Sequence, residues 1–274
     1  MRVMTSAIAA AALCAMLAGP AAADLLSDVK GRGTLTCGVL SNFEPYGFLD
    51  KDTREPVGYE IDMCKALAAF LGIKAQTKVV TSQGRIPELL QNRIDVIAGL
   101  ISYTKERAEQ VDYSGIYMTG TNRFMVRSDS GITKPDDLQT KKIGVSKGSA
   151  LESYLRKSYP SATVVGFDDK PTSYLALKTG KVDAILTQTD SLMALKNRDT
   201  DGGARMTVLE EVIYPTRIGF ITKPGEQAFL DQANAFLKSA EASGLGQKIW
   251  DKWFGPETDY KMQKDFVLGS PANP

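Results

Sequence analysis

The 274-residue chain contains no histidine. That absence removes Ser-His-Asp and Cys-His catalysis and every metal site built on imidazole. Cysteine is scarce as well: the three residues Cys14, Cys37 and Cys64 lie far apart. Neither a four-cysteine zinc site nor a CxxC redox motif exists, and the sequence calls for no cofactor. No charge of one sign dominates. Lys and Arg number 33 against 32 Asp and Glu, a balance that gives no support to nucleic-acid or polybasic membrane binding. Past the N-terminal segment, no stretch approaches the roughly 18 uninterrupted apolar residues of a membrane span.

What is present begins with MRVMTSAIAAAALCAMLAGPAAAD. Arg2, an apolar run and the small residues Ala21-Ala22-Ala23 predict a secretory signal peptide over residues 1–23, cleaved before Asp24. The run is too short and too Ala-rich for an anchor, and no stop-transfer segment follows. Leu13 is not the small residue that a lipidation site at Cys14 needs. Export to the periplasm is therefore expected. There Cys37, in the strand-like TLTCGVL, and Cys64, in the helical IDMCKALAAFLG, either pair in the oxidising compartment or stay as two buried free thiols.

The rest of the chain is ample for two lobes, each with its own core. Thr34–Leu40 reads as a strand, and Pro/Gly/Asp-rich SNFEPYGFLDKDTREPVGYE as a loop and hairpin. Ile61, Cys64, Leu67, Ala68 and Leu71 recur on one helical face, and Gly72 stops the helix. Further on, KAQTKVV, IDVIAGLI, RFMVRS, KIGV, TVVGF and IGFITKPG read as strands or extended segments. RIPELLQNR, KERAEQV, KPDDL, the segment after SKGS and KPTSYLALK read as helices, and the chain closes on a long amphipathic region ending in KIWDKWF. This alternation predicts α/β architecture with mostly parallel sheets. LLQNRIDVIAG and LALKTGKVDAIL repeat one unit: a helix end, a tight turn, a basic residue, then a strand opened by Asp95 or Asp183. The echo suggests two similar lobes, with both aspartates as structural turn residues. Asp62 is expected to stabilise the start of its helix.

The stretch ISYTKERAEQVDYSGIY raises a question of charge. Ser102 and Thr104 look like helix caps, and Arg107 falls in the first turn, where a capping box wants Glu or Gln. A cation there opposes the helix dipole at a cost of roughly 0.3–1 kcal/mol. Glu106 in the same turn could offset it. Alternatively Arg107 faces an anion supplied from outside, which its planar fork would hold bidentately.

Taken in order and spacing, GTLTCGVLSNFEPYGF, VGYEIDMCKALA, RIPELLQNRIDVIAG, SYTKERAEQVDYSGIY, DLQTKKIGVSKGSALESYL and ALKTGKVDAIL resemble the type II extracellular solute-binding proteins of bacterial polar amino acid ABC transporters. The resemblance covers essentially the whole chain after the leader, and the two cysteines resemble a subgroup in which both occur together. It implies a type II periplasmic binding protein fold: two α/β lobes joined by two crossover strands, with the ligand cleft between them. Lobe 1 would comprise 24–120 and 217–274, and lobe 2 would comprise 121–216. Hinge closure around a small carboxylate, docking on a membrane permease and a monomeric state go with it.

The resemblance also implies roles. Arg107 grips the ligand's α-carboxylate, helped by the hydroxyl and amide of Ser102 and, from the second lobe, by Ser149 and the backbone N–H of Ala150. The Leu100 carbonyl accepts from the ligand's ammonium. Phe43 packs on its side chain, with Tyr46 nearby. The sequence departs from the pattern at Gln188, where the family usually carries the acid that meets the ammonium; Asp190 stands two residues on. Either Asp190 takes over, or Gln188 binds a weaker or uncharged group, or the ligand is no standard α-amino acid. Arg85, Arg123 and Arg217 are candidates for reading a second acidic group. Trp250 and Trp253, at helical spacing, read as lobe packing. Two alternatives stay open on the same scaffold: a cyclohexadienyl dehydratase-like enzyme, for which Glu44 lies near the cleft, and a ligand sensor that signals to a receptor.

Overall fold

A computed structural model describes residues 24–198 and 205–273; the expected leader with Cys14 lies outside them. The first half of the chain forms α1 (Leu25–Arg32), β1 (Thr34–Val39), the small sheet β2 (Asn42–Phe43), β3 (Gly47–Leu49) and β4 (Pro56–Val57), then α2 (Tyr59–Phe70), β5 (Lys74–Val79), α3 (Arg85–Leu90), β6 (Val96–Ile97) and α4 (Lys105–Ala108). The long β7 (Asp112–Arg127) leads through a 3-10 turn at Pro135–Leu138 into β8 (Lys142–Ser146), α5 (Ala150–Ser158), β9 (Thr163–Phe167), α6 (Lys170–Lys178), β10 (Ala184–Gln188) and α7 (Thr189–Arg198). After β11 (Met206–Val208), β12 (Tyr214–Thr222) runs back, and α8 (Gln227–Ala242) and α9 (Leu245–Phe254) follow.

The main sheet has the order β5-β1-β6-β12-β7-β10-β8-β9, with β11 also paired to β7. Its two wings are parallel: β5, β1 and β6 on one side, and β10, β8 and β9 on the other. Between them β7 and β12 pair antiparallel from Asp112↔Thr222 to Asn122↔Tyr214. One large apolar cluster draws on Leu35, Val39, Leu67, Phe220, Phe236 and Trp250, and a separate one on Phe124, Leu138, Ile143, Leu155 and Leu186. The molecule is thus two α/β lobes joined by two strands.

The repeat unit has a physical basis. Asp95 accepts the Thr36 N–H at 2.7 Å while its own N–H donates to the Thr36 carbonyl. Asp183 does the same with Lys142, accepting its N–H at 2.8 Å and donating to its carbonyl. Each carboxylate fastens its strand to the neighbouring parallel strand at the same point, and Arg32 adds an ion pair to Asp95.

Cys37 and Cys64 form a disulfide, which ties β1 to α2, and both are fully buried. Asp62 lies in the first turn of α2 and accepts from Lys252 Nζ and Trp253 Nε1 of α9. Trp250 stacks on Phe254 at 4.5 Å between ring centroids, inside the first lobe's core.

Several elements differ from the sequence reading. The strand expected over IDVIAGLI is only Val96–Ile97, because Leu100 takes a left-handed φ of 53° that turns the chain out of the sheet. The extended segment at RFMVRS is the end of a 16-residue strand. Helix α1, which Asp24 caps by accepting the Ser27 N–H at 2.9 Å, and helix α7 are absent from the sequence reading; α7 follows β10 without an intervening residue. The long C-terminal region breaks into two helices at Gly244, whose φ is 75°.

Candidate functional site

Arg107 lies where its spacing from Thr104 put it. Thr104 caps the four-residue α4 by accepting the Arg107 N–H at 3.2 Å. The guanidinium then turns back: Nη1 donates to the Ser102 carbonyl at 3.0 Å, and Nη2 crosses to the second lobe and donates to the Gly148 carbonyl at 3.1 Å. No carboxylate of the described residues forms an ion pair with it. Glu106, its neighbour in the turn, therefore leaves it without a direct counter-ion. Burial is the main influence that lowers the pKa of Arg107.

A second guanidinium stands behind the first. Arg85, 3% exposed, donates to the Ser82 carbonyl at 2.9 Å and to the Gly99 carbonyl. Burial, and next the charge of Arg107, push it down to about 9. The nearby carboxylate is that of Glu60, fully buried at the start of α2. Its Oε1 accepts the Leu100 N–H at 2.7 Å and the Tyr117 hydroxyl at 2.6 Å, while Oε2 has no partner among the described residues. Burial raises the pKa of this carboxyl, which weakens it as a counter-charge. The Gly99–Thr104 loop thus combines a positive electrostatic bias with a non-glycine residue, Leu100, held in a strained backbone region. Ser102 is 9% exposed, bridges to Ile218 of β12, and offers the carbonyl that Arg107 and Tyr113 share.

On the facing lobe, Ser149 caps α5 by accepting the Glu152 N–H at 3.2 Å, and Ala150 is the first helical residue. Gly148 makes this loop possible. Its φ is +68°, and a Cβ there would stand 2.7 Å from the Gln83 side chain of the first lobe. The two lobes therefore touch at this point, as they do where Asn42 Nδ2 donates to the Asp168 carbonyl at 3.0 Å. Beside that contact a cavity of about 210 Å³ is lined by Val80, Thr81 and Gln83 from one side and Lys147 and Asp168 from the other.

Phe43 and Tyr46 are 4% and 1% exposed, part of the first lobe's core with one face turned to the second lobe. The Tyr46 hydroxyl donates to Asp190 Oδ2 at 2.5 Å across the cleft. Gln188 ends β10 and accepts the Thr187 hydroxyl on its Oε1 at 2.8 Å, which leaves its N–H donors without a partner among the described residues. Of the other flagged arginines, Arg217 reaches the Pro271 carbonyl, and Arg123 has a buried Nε without a partner among the described residues. Glu44 is half-buried in the same loop as Phe43 and Tyr46.

Sequence reasoning missed Lys170 and Glu60. Lys170 begins α6 just after its cap, Asp169, and is 7% exposed. The signal was available: like Arg107, it is a cation in a helix's first turn. Glu60 carries no such signal, since an acid in a first turn looks ordinary.

The model of the bacterial extracellular solute-binding proteins, family 3, matches residues 35–256. The L-cystine-binding protein TcyJ of Escherichia coli K12 is 32% identical over 85% of this chain and 87% of its own. Among solved structures, an ancestral arginine-binding protein bound to arginine is 33% identical, with a TM-score of 0.75 over 82% of this chain and 99% of that one. The ancestral amino acid-binding protein AncCDT-1, a precursor of cyclohexadienyl dehydratase, is 27% identical, with a TM-score of 0.77 over 85% and 100%.

Proposed function

From the premise that the chain belongs to the bacterial extracellular solute-binding proteins of family 3, we propose that it is the periplasmic substrate-binding protein of an ABC importer. It captures an amino acid or a closely related carboxylate by closure of its two lobes and delivers it to the permease subunits. One observation carries the choice of ligand chemistry: the Arg107 guanidinium is bound only by backbone carbonyls, one from each lobe, and faces no protein carboxylate among the described residues. A ligand carboxylate there gains a bidentate, charge-assisted pair and exchanges a carbonyl contact for an anion. The capped start of α5 at Ser149 and Ala150 adds N–H donors from the facing lobe.

The ligand lies between Arg107 and the ring of Phe43, with Ser102 and the Leu100 carbonyl lining one wall. Tyr46 acts on the ligand through Asp190: its hydroxyl fixes the carboxylate that replaces the acid missing at Gln188. Binding is reversible and without turnover, and the protein works as a monomer. Relatives named for binding cystine and arginine support a ligand of the amino acid class and do not choose its side chain.

The test is thermal unfolding of the mature protein, refolded to strip bound ligand, against the L-amino acids, several D-forms and plain carboxylates. A ligand at 1,000 times its Kd adds about 4 kcal/mol. At roughly 2–4 °C per kcal/mol, the midpoint should rise by about 8–16 °C. An amino acid should produce the shift and Arg107→Ala should abolish it. Silence across the panel refutes the assignment.

A further inference from the structure

Lys170 is a buried cation inside the cleft that none of the roles above uses. It starts α6 of the second lobe, yet its Nζ lies over two rings of the first, 4.8 Å from the centroid of Phe43 and 5.1 Å from that of Tyr46. Its hydrogen bond goes to a neutral group, the Ser191 hydroxyl, at 2.6 Å. No ion pair holds it among the described residues. Three acidic side chains surround it at longer range, Asp190, Glu60 and Glu44. Asp190 accepts the Tyr46 hydroxyl, and Glu60 is held by Leu100 and Tyr117. Lys170 also lines a small cavity of about 110 Å³ with Asn42, Glu44 and Ser191.

An ammonium has three donors and a full charge. Here one donor meets a hydroxyl and the charge rests on aromatic faces, in a place where water is largely excluded. The first turn of a helix opposes it further. A buried ammonium with acids only at longer range and no direct ion pair among the described residues keeps donors for an arriving acceptor. The position matters too, because the ring of Phe43 is the surface on which the ligand's side chain would lie.

Resting on the amino acid reading above, we propose that Lys170 determines specificity by pairing with a second anionic group at the far end of the ligand. Arg107 takes one carboxylate and Lys170 the other. A carboxylate supplies a directly contacting charge and two strong acceptors, which the longer-range Asp190, Glu60 and Glu44 do not. A neutral amide supplies an acceptor without charge. A guanidinium or ammonium would set a second cation beside the first on the same aromatic surface, which a low-dielectric cleft penalises strongly.

The experiment is isothermal titration calorimetry with L-glutamate, L-glutamine and L-arginine on the wild-type protein and on Lys170→Met and Lys170→Gln. Glutamate and glutamine differ by one charge at nearly constant shape, so their ratio isolates the contribution of Lys170. Wild type should bind glutamate at least about tenfold tighter than glutamine and should bind arginine weakest. Both variants should collapse the glutamate-to-glutamine ratio towards unity. The wild-type ratio alone is informative if a variant fails to fold. Glutamine or arginine binding as tightly as glutamate in the wild type overturns the inference and leaves the amino acid reading intact. So does an equal loss for all three ligands in the variants. Silence of every L-amino acid in the thermal panel overturns the reading on which the inference rests, and the inference with it.

Discussion

Reducing the Cys37–Cys64 disulfide should lower the protein's stability by an amount that its position in the chain sets. The bond closes a loop with a sequence separation of 27. By the chain-entropy relation, a loop of that length restricts the unfolded ensemble by about 3.5 kcal/mol at 25 °C. For a chain of this size the unfolding midpoint should then fall by roughly 7–14 °C. Reduction deletes no atoms, so the comparison avoids the cavity that an alanine substitution would leave beside Leu67 and Val39. Both sulfurs are fully buried, so reductant added to the folded protein should act slowly. The effect should appear only after unfolding in denaturant with reductant and refolding with thiols kept reduced. Differential scanning calorimetry of the two forms, with free thiols counted chemically, measures it. A midpoint change below about 3 °C, with thiols shown to be free, would refute the argument that loop closure is what the bond contributes.

Three further outcomes follow from the site. Tyr46→Phe removes a hydroxyl bonded to a carboxylate across the cleft, an interaction of about 1.5–3 kcal/mol, so calorimetry should show ligand binding weakened roughly tenfold or more; unchanged affinity would mean the contact adds nothing to closure. Gly148→Ala places a Cβ against Gln83 at a φ of +68°; small-angle scattering with saturating ligand should show a less compact particle than wild type. Burial pulls Lys170 down to about 8, opposed by Asp190, Glu60 and Glu44, the acidic groups that face it from α7, α2 and the loop after β2. Below that pH the ammonium is charged in the free protein and above it neutral, while an anionic ligand favours the charged form. Glutamate affinity should therefore fall as pH rises through about 8, and Lys170→Met should flatten that limb of the profile.

Much of the architecture was legible because it rests on local signals. The Asp95 and Asp183 echo could be read from letters alone, since a carboxylate at the mouth of a strand has few uses other than to bond a neighbouring amide. Arg107 stood out because a cation in a first helical turn contradicts the dipole. The two-residue β6 was not legible, because the left-handed turn at Leu100 is enforced by Glu60, 40 residues away. Helix α7 was hidden by its direct start after β10. Whether Cys37 and Cys64 pair depends on how α2 lies on β1, which is a matter of packing. The depth of Lys170 is likewise a product of the cleft: its burial comes from Phe43 and Tyr46, rings on the opposite lobe.

The continuous sheet has a mechanical consequence. The strands β7 and β12 do not merely link the lobes; they are hydrogen-bonded to each other along the connection, with register irregularities between Ile218 and Gly219 and between Gly219 and Ile221. Two separate tethers would let the lobes wander in every direction. A paired ribbon resists stretching and in-plane bending, because both tear its ladder, and yields most easily to twist and to bending across its flat face. The molecule behaves less like a door on loose pins than like a clasp on a leaf spring. Its stiffness is set by ribbon length and by these irregularities, which sit next to the bridge between Ile218 and Ser102, so substitutions near Gly219 should alter the ribbon and the adjoining wall of the cleft together.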